Sequence, residues 1–281
     1  MNWKRDDDTM HLGATLRLLR VDAGLSLRDL ARRIGVSSAY LSRVENGLDA
    51  VPTPERLAAI ARELDVPPTL LMDVAHRVSP FVAHYLENVP GAGMLFLEMA
   101  RRGLSGQQLA RVREFLDAEF PVRAASQETP VPALGPLLAP ERMVLSLTCT
   151  ALEDALDVAA GRLASACPGV SAPRLAAELK RREAEASSMV GNGVAVPHAF
   201  VEHSAPLGAL VTLAKPLQAG TPDLLPLRLL VVLVGGERGR GHLMRLAHVA
   251  RLASHGLAER LTSEDTPQQL LARLTELEAL R

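Results

Sequence analysis

Apolar residues recur at three- and four-residue intervals through the first 120 positions of this chain, and only later gather into short continuous runs. The first pattern is that of helices with one buried face; the second is that of strands. Leu12, Leu16, Leu19 and Ala23 share one face of a helix predicted over 12–23, with Gly24 as its C-terminal cap residue. Ser26 caps a short helix over 27–34 and has Asp29 at the position of a capping box. Gly35 breaks that helix, and Ser37 caps a third that stops at Asn46-Gly47. Further helices follow over 80–88, 93–102 and 105–119, the last with Leu109, Val112, Phe115 and Leu116 at helical spacing.

Five prolines, at 121, 130, 132, 136 and 140, then mark residues 121–140 as a semi-extended linker. Such a linker reaches ~60 Å at ~3.1 Å per residue. Strands are predicted over 143–147, 194–196, 207–213 and 227–234, and residues 229–234 are apolar throughout, as a strand buried on both faces should be. Helices are predicted over 151–164, after Ser171-Ala-Pro173, and over 242–253 and 267–280. The fold class is therefore multidomain: an all-α N-terminal part and an α/β C-terminal part, a mixed sheet with covering helices.

The length of 281 residues fits about two domains, and a 48% hydrophobic fraction is ample for packed cores. Net charge is −1, and residues 1–78 carry 11 basic and 11 acidic residues. A nucleic-acid site must then be a local patch, because electrostatic affinity comes from clustered Lys and Arg. Cys149 and Cys167 form no motif and read as buried free thiols. The longest apolar run, 229–234, falls far short of the ~20 residues that span a bilayer. No signal peptide is visible, so a cytoplasmic protein without membrane insertion is expected.

Two short helices joined through a glycine turn are a helix-turn-helix. Ala31 is small where the two helices cross, Val36, Leu41 and Val44 face inward, and Arg20 and Glu45 are placed for an ion pair between the first and third helices. Gly24-Leu-Ser, Leu30-Ala31, Ile34-Gly35-Val36-Ser37, Tyr40-Leu41-Ser42 and Glu45-Asn46-Gly47 resemble the Cro/C1-type (Xre-like) helix-turn-helix family. The resemblance implies a five-helix, lambda repressor-like DNA-binding domain over about 10–78, with 54–64 and 68–72 as its last two helices. It places Ser38, Ala39, Ser42 and Arg43 toward the major groove, with Ser37 and Asn46 suited to phosphates. Near-neutral charge implies modest affinity for one copy, so a homodimer on a double-stranded operator is expected. Residues 79–120 are a helical extension and a candidate dimer contact.

The stretch Gly191-Asn-Gly-Val-Ala-Val-Pro-His198 places an imidazole directly after a strand and a proline, whose φ is fixed. Gly191, Asn192 and Gly193 are read as a loop whose amides can approach an anion. Arg182 lies sixteen residues upstream, and His242 opens a later helix. One nucleophilic imidazole, a second imidazole and an arginine are what reversible histidine phosphorylation needs. Arg182-Glu-x-x-x-Ser-Ser-x-Val-Gly-Asn-Gly-Val-Ala-Val-Pro-His198 resembles the active-site signature of the phosphotransferase-system EIIA domain of the fructose/mannitol/nitrogen type. The resemblance covers about 133–281. It implies that His198 accepts phosphate from a small carrier protein of HPr type, with Arg182 and His242 as its partners. Ser188 stands where the family commonly has threonine, and Met189 where it commonly has glycine.

His203, His248 and His255 read as surface or packing residues. No metal site is expected, because His242 and His248 point to different helix faces, and no cofactor is implied. The expected function is a DNA-binding transcriptional regulator controlled by phosphorylation of His198. Two alternatives stay open: an EIIA phosphocarrier subunit for sugar uptake with an autoregulatory DNA-binding domain, and an EIIA-like binding module that takes no phosphate. Phosphohistidine carrier activity is the only enzymatic character in view.

Overall fold

Side-chain caps set the first helices. Ser26 Oγ accepts from the Asp29 amide at 3.1 Å and starts α2 (Leu27–Arg33). Ser37 Oγ accepts from the Tyr40 amide at 3.1 Å and starts α3 (Ser38–Glu45). Thr53 caps α4 (Pro54–Glu63), and α5 (Pro68–Val74) follows with proline in its first turn. Of these, α3 and α5 pack on α1, while α2 packs on α3 and α4 on α5; α1 starts at Trp3 rather than at residue 12 and runs to Asp22. The computed structural model describes residues 3–78, 80–120, 131–167, 169–201 and 205–279.

The expected ion pair is present: Arg20 grips both Glu45 oxygens at 2.6 and 2.8 Å and also donates to the Leu25 carbonyl. Leu30, Leu41, Leu57, Ile60 and Leu71 close the core around it. Ala31 is buried between the helices. Helices α1 and α3 also cross closely at Gly13, where an added Cβ would lie 2.5 Å from the Val44 carbonyl oxygen. Three more helices follow: α6 (Pro80–Asn88), α7 (Ala92–Arg101) and α8 (Gly106–Glu119), the last started by a Ser105–Gln108 capping box. Their apolar side chains, Met94, Leu95, Phe96, Phe115 and Leu116 among them, are exposed.

The first half of the predicted linker, residues 121–130, lies outside the described residues. The second half is not extended. Residues 131–140 lie on the α/β part, with Leu134 and Leu138 buried. The carboxylate of Glu278 accepts from the amides of Leu134 and Gly135 at 2.6 and 3.4 Å. The proline count signalled stiffness, but the apolar side chains between the prolines dock it.

Six strands form one mixed sheet: β1 (Met143–Leu147), β2 (Met189–Gly191), β3 (Val194–Ala195), β4 (His198–Phe200), β5 (Leu207–Leu217) and β6 (Leu227–Gly235). The order is β1-β5-β6-β3-β2, and β4 continues beside β6 after β3. From Leu229 to Val234, strand β6 alternates between two cores. Leu230, Val232 and Val234 face α9 (Leu152–Ala164) and α10 (Ala172–Glu185). Leu229, Val231 and Leu233 face the other layer, which holds α11 (Arg240–Ser254), α12 (Leu257–Leu261) and α13 (Pro267–Ala279). Strands β2 and β4 and helix α12 were not anticipated, being only three to five residues long.

That second core does not stop at the α/β part. Helix α1 packs on β2 and α11, and α5 packs on α11, so one apolar cluster runs from Leu12 to Leu277. Successive positions His11, Thr15, Leu18 and Asp22 lie on one side of α1. All four are buried, as are Leu12, Leu16 and Leu19 on the other side. Asp73 adds polar clasps, accepting from Arg251 at 3.3 Å and from His255 at 3.0 Å. Among the described residues no helix is long and apolar enough to cross a membrane.

Candidate functional site

Pro197 ends the link from β3, and His198 opens β4 opposite Leu233 of β6. The ring is therefore fixed by a strand in the middle of the domain. Its Nδ1 lies 3.0 Å from the Val196 carbonyl oxygen and must carry a proton to bond it. The reactive nitrogen is then Nε2. Phe200 stacks edge-on to His242, with ring centroids 4.8 Å apart, and the Arg182 guanidinium lies 5.3 Å from the same ring.

The three residues expected to act together are brought together. Arg182, from the last turn of α10, reaches His198 Nε2 at 2.6 Å with one terminal nitrogen. The rings of His198 and His242 are 5.0 Å apart. All three side chains are buried. Neighbouring Arg181 is exposed and tied to Glu178 and Glu185, so it is not the site's arginine.

A fourth member was not read from the sequence. The carboxylate of Asp22, at the end of α1, sits among the three. It bonds Arg182 and lies 2.7 Å from His198 Nε2 and 3.1 Å from His242 Nε2. Burial alone would raise its pKa, but the bonds from His198 and His242 outweigh that and hold it well below the usual carboxylate range. His242 is pushed below its ordinary value chiefly by burial, against the opposing pull of Asp22. Asp22, His198 and His242 also have the spacing of a metal-binding trio. However, the Arg182 guanidinium bonds both Asp22 and the Nε2 face of His198, so a cation there would meet a fixed positive charge. Arg182 Nε and Ser188 Oγ are buried with no partner among the described residues. The oxyanion that the cluster holds is the Asp22 carboxylate.

The glycine loop does not belong to it. Gly191, Asn192 and Gly193 form the β2–β3 turn, all with positive φ. The Gly193 carbonyl accepts from Arg228 and Leu229, four positions before Leu233 along β6. At ~3.3 Å per residue the turn is ~13 Å from His198 along that strand. The Asn192 amide is taken by Asp223, and Gly191 abuts His11. The glycines serve the turn, which corrects the reading of these three residues as a phosphate loop. Met189 is buried in the core facing α9 and α10. His248 is fully buried and bonds Glu278 at 2.9 Å, His255 bonds Asp73, and His203 lies outside the described residues.

At the other end, Ser37, Ala39, Arg43 and Asn46 are exposed and Ser38 and Ser42 are half-buried. Arg43 donates twice to Asp49, at 2.9 and 2.7 Å, and Asn46 Nδ2 donates to the Ser42 carbonyl oxygen at 2.6 Å.

A five-helix bundle, in which Ser26, Ser37 and Thr53 cap three of the helices, is joined to an α/β domain that holds a buried histidine–arginine–aspartate cluster. Comparison with known proteins makes the class specific. Residues 136–277, half of the chain, match the phosphoenolpyruvate-dependent sugar phosphotransferase system EIIA 2 family, and the chain belongs to that family. Residues 11–73 match a helix-turn-helix domain family. The chain is 32% identical over 143 residues to the 2-O-alpha-mannosyl-D-glycerate-specific EIIABC component of Escherichia coli (strain K12), covering 48% of this chain and 21% of that protein. It is 30% identical over 132 residues to the Nitrogen regulatory protein of Klebsiella oxytoca, covering 46% and 81%. Its N-terminal part is 38% identical over 77 residues to the HTH-type transcriptional repressor RghR of Bacillus subtilis (strain 168), covering 27% and 51%. The chain thus spans about a fifth of the first relative and half of the last.

Proposed function

We propose that this chain is a DNA-binding transcriptional regulator governed by phosphorylation of His198. The carrying observation is the setting of Nε2: Nδ1–H is committed to the Val196 carbonyl, and Arg182 and His242 face the remaining nitrogen. Phosphoryl transfer rests on positioning and charge stabilisation. The bond from phosphorus to a small carrier protein of HPr type breaks, its electron pair staying with the carrier, as the Nε2–phosphorus bond forms. Arg182 neutralises the phosphoryl oxygens and His242 donates to them. No oxidant or cofactor enters. The test is incubation with phosphoenolpyruvate, enzyme I and the small carrier, with His198→Ala as control. Acid-labile phosphate on the wild type alone is expected; none on either refutes the phosphoacceptor role.

In this reading residues 10–78 bind operator DNA and residues 133–281 carry the phosphoryl site. Ser38, Ala39, Ser42 and Arg43 read bases, and Ser37 and Asn46 touch phosphates. Arg43 must exchange Asp49 for guanine. The exposed apolar side chains of α7 and α8 face a second copy, which supplies the two half-sites such modules use. A binding selection repeated with Arg43→Ala tests the groove assignment: loss of discrimination at one base position is expected, and full discrimination would refute it.

One observation favours a different reading. Asp22 already fills the clamp, as it would in a binding module that takes no phosphate. The same labelling decides between them.

A further inference from the structure

We infer that Asp22 is a tethered occupant of the phosphoryl position, so that docking of the helix-turn-helix module and phosphorylation of His198 exclude each other. This rests on the reading of His198 as phosphoacceptor and adds what controls its access.

The first argument is space. The Asp22 carboxylate lies 2.7 Å from His198 Nε2 and 3.1 Å from His242 Nε2, and it bonds Arg182. Nδ1 is turned to the Val196 carbonyl, so Nε2 is the face that an incoming phosphorus must reach. Asp22 therefore occupies the position that the phosphoryl group would take.

The second argument is charge. A phosphoryl group adds roughly −1.5 to −2 charges. Beside a retained Asp22 that would place three negative charges or nearly so against one buried guanidinium. One donor of the site is also free for a larger anion than a carboxylate: Arg182 Nε, buried and unpartnered among the described residues. Removing Asp22 and seating a phosphoryl group offers the guanidinium three oxygens in place of two.

The third argument is the tether. Asp22 is the last residue of α1, a helix buried on both sides, so its carboxylate cannot swing out alone. His11, three turns earlier on the same side, is lodged between the carbonyl oxygens of Val190 and Ala250. From His11 to Asp22 is ~16 Å at ~1.5 Å per residue. Expelling one end of that lever strains the other, and α1 leaves β2 and α11 together with Asp22.

The test compares wild type, Asp22→Ala and Asp22→Asn, each as the full chain. Phosphate uptake from phosphoenolpyruvate, enzyme I and the small carrier is timed, and small-angle scattering follows the radius of gyration before and after. Asp22→Asn keeps the side-chain shape, so a packing defect at Ala cannot pass for release. Both variants should load about tenfold faster or more, as expected if the wild-type site is open a tenth of the time or less. Loading the wild type should enlarge the radius of gyration. Equal loading rates with an unchanged radius overturn the exclusion while leaving His198 a phosphoacceptor. No phosphate on any of the three overturns both.

Discussion

Helix α1 serves both modules, and Gly13 is where its fit to α3 can be measured. In Gly13→Ala the new Cβ would meet three backbone atoms: Val44 O at 2.5 Å, Glu45 O at 2.8 Å and Glu45 C at 2.9 Å. None can rotate away, so the helices must part by roughly 0.9 Å to reach an ordinary contact, and overpacking of this kind costs ~1–3 kcal/mol. Alanine gains up to ~1 kcal/mol over glycine in a helix interior. The clash wins, because parting the helices also stretches the buried Arg20–Glu45 bonds of 2.6 and 2.8 Å. A net loss of about 1–2 kcal/mol is expected. Gly161→Ala is the control: Gly161 lies within α9 with open space where its Cβ would go, and should gain up to ~1 kcal/mol. Urea unfolding read by hydrogen exchange, separately for α1–α3 and for α9, resolves the two modules, since a single two-state transition is not assured. If Gly13→Ala matched or exceeded the wild type, the close crossing would not be a constraint.

Glu278→Ala removes the acceptor for two amides and for His248, so the 131–138 segment should loosen by about 2–3 kcal/mol. Proteolysis within that segment checks it; unchanged protection would disprove the strap. Burial holds His11 below its ordinary pKa, outweighing its two carbonyl contacts and Asp223. Released His11 takes a proton near ~6.5, so docking should be strongest above that and weaken as pH falls below it, with His242 acting in the same direction. Scattering across pH 5–8 should show expansion toward acid, and His11→Gln should flatten the response; a steeper acid response in that variant would contradict it.

What could be read in advance was local chemistry. Ser26, Ser37 and Ser171 cap helices within three residues of themselves, and the Pro197-His198 step fixes its ring within one strand. What escaped depends on distant partners. Asp22 meets Arg182 and His242 across 160 and 220 residues, and by itself it reads as a charged residue before a capping glycine. A faint signal existed: among His11, Ala14, Thr15, Leu18 and Asp22, only Asp22 carries a full charge. A helix so poor in charge on its supposedly wet side is buried on both. The glycine loop failed the other way, because positive φ serves a tight turn as well as an anion cradle.

The geometry also limits how release could reach DNA. Docking uses α1 and α5, whereas α3 packs on α1 and α2 and keeps Ala39 and Arg43 exposed. Only its C-terminal end, at Glu45 and the following Asn46, borders the cavity between the modules, which also touches Ser187 and Pro222. Uncovering the recognition surface is therefore not the switch. Simple repulsion would have to act beyond ~8 Å in physiological salt, where it is largely screened. In the proposed dimer, what release changes is the position of a whole EIIA domain relative to a second DNA-bound copy. A selected single half-site should then bind wild type and Asp22→Ala alike, within about twofold, while a two-half-site operator should tell them apart. Equal shifts on both DNAs would mean that docking reaches α3 itself, most directly by releasing the Asn46 end.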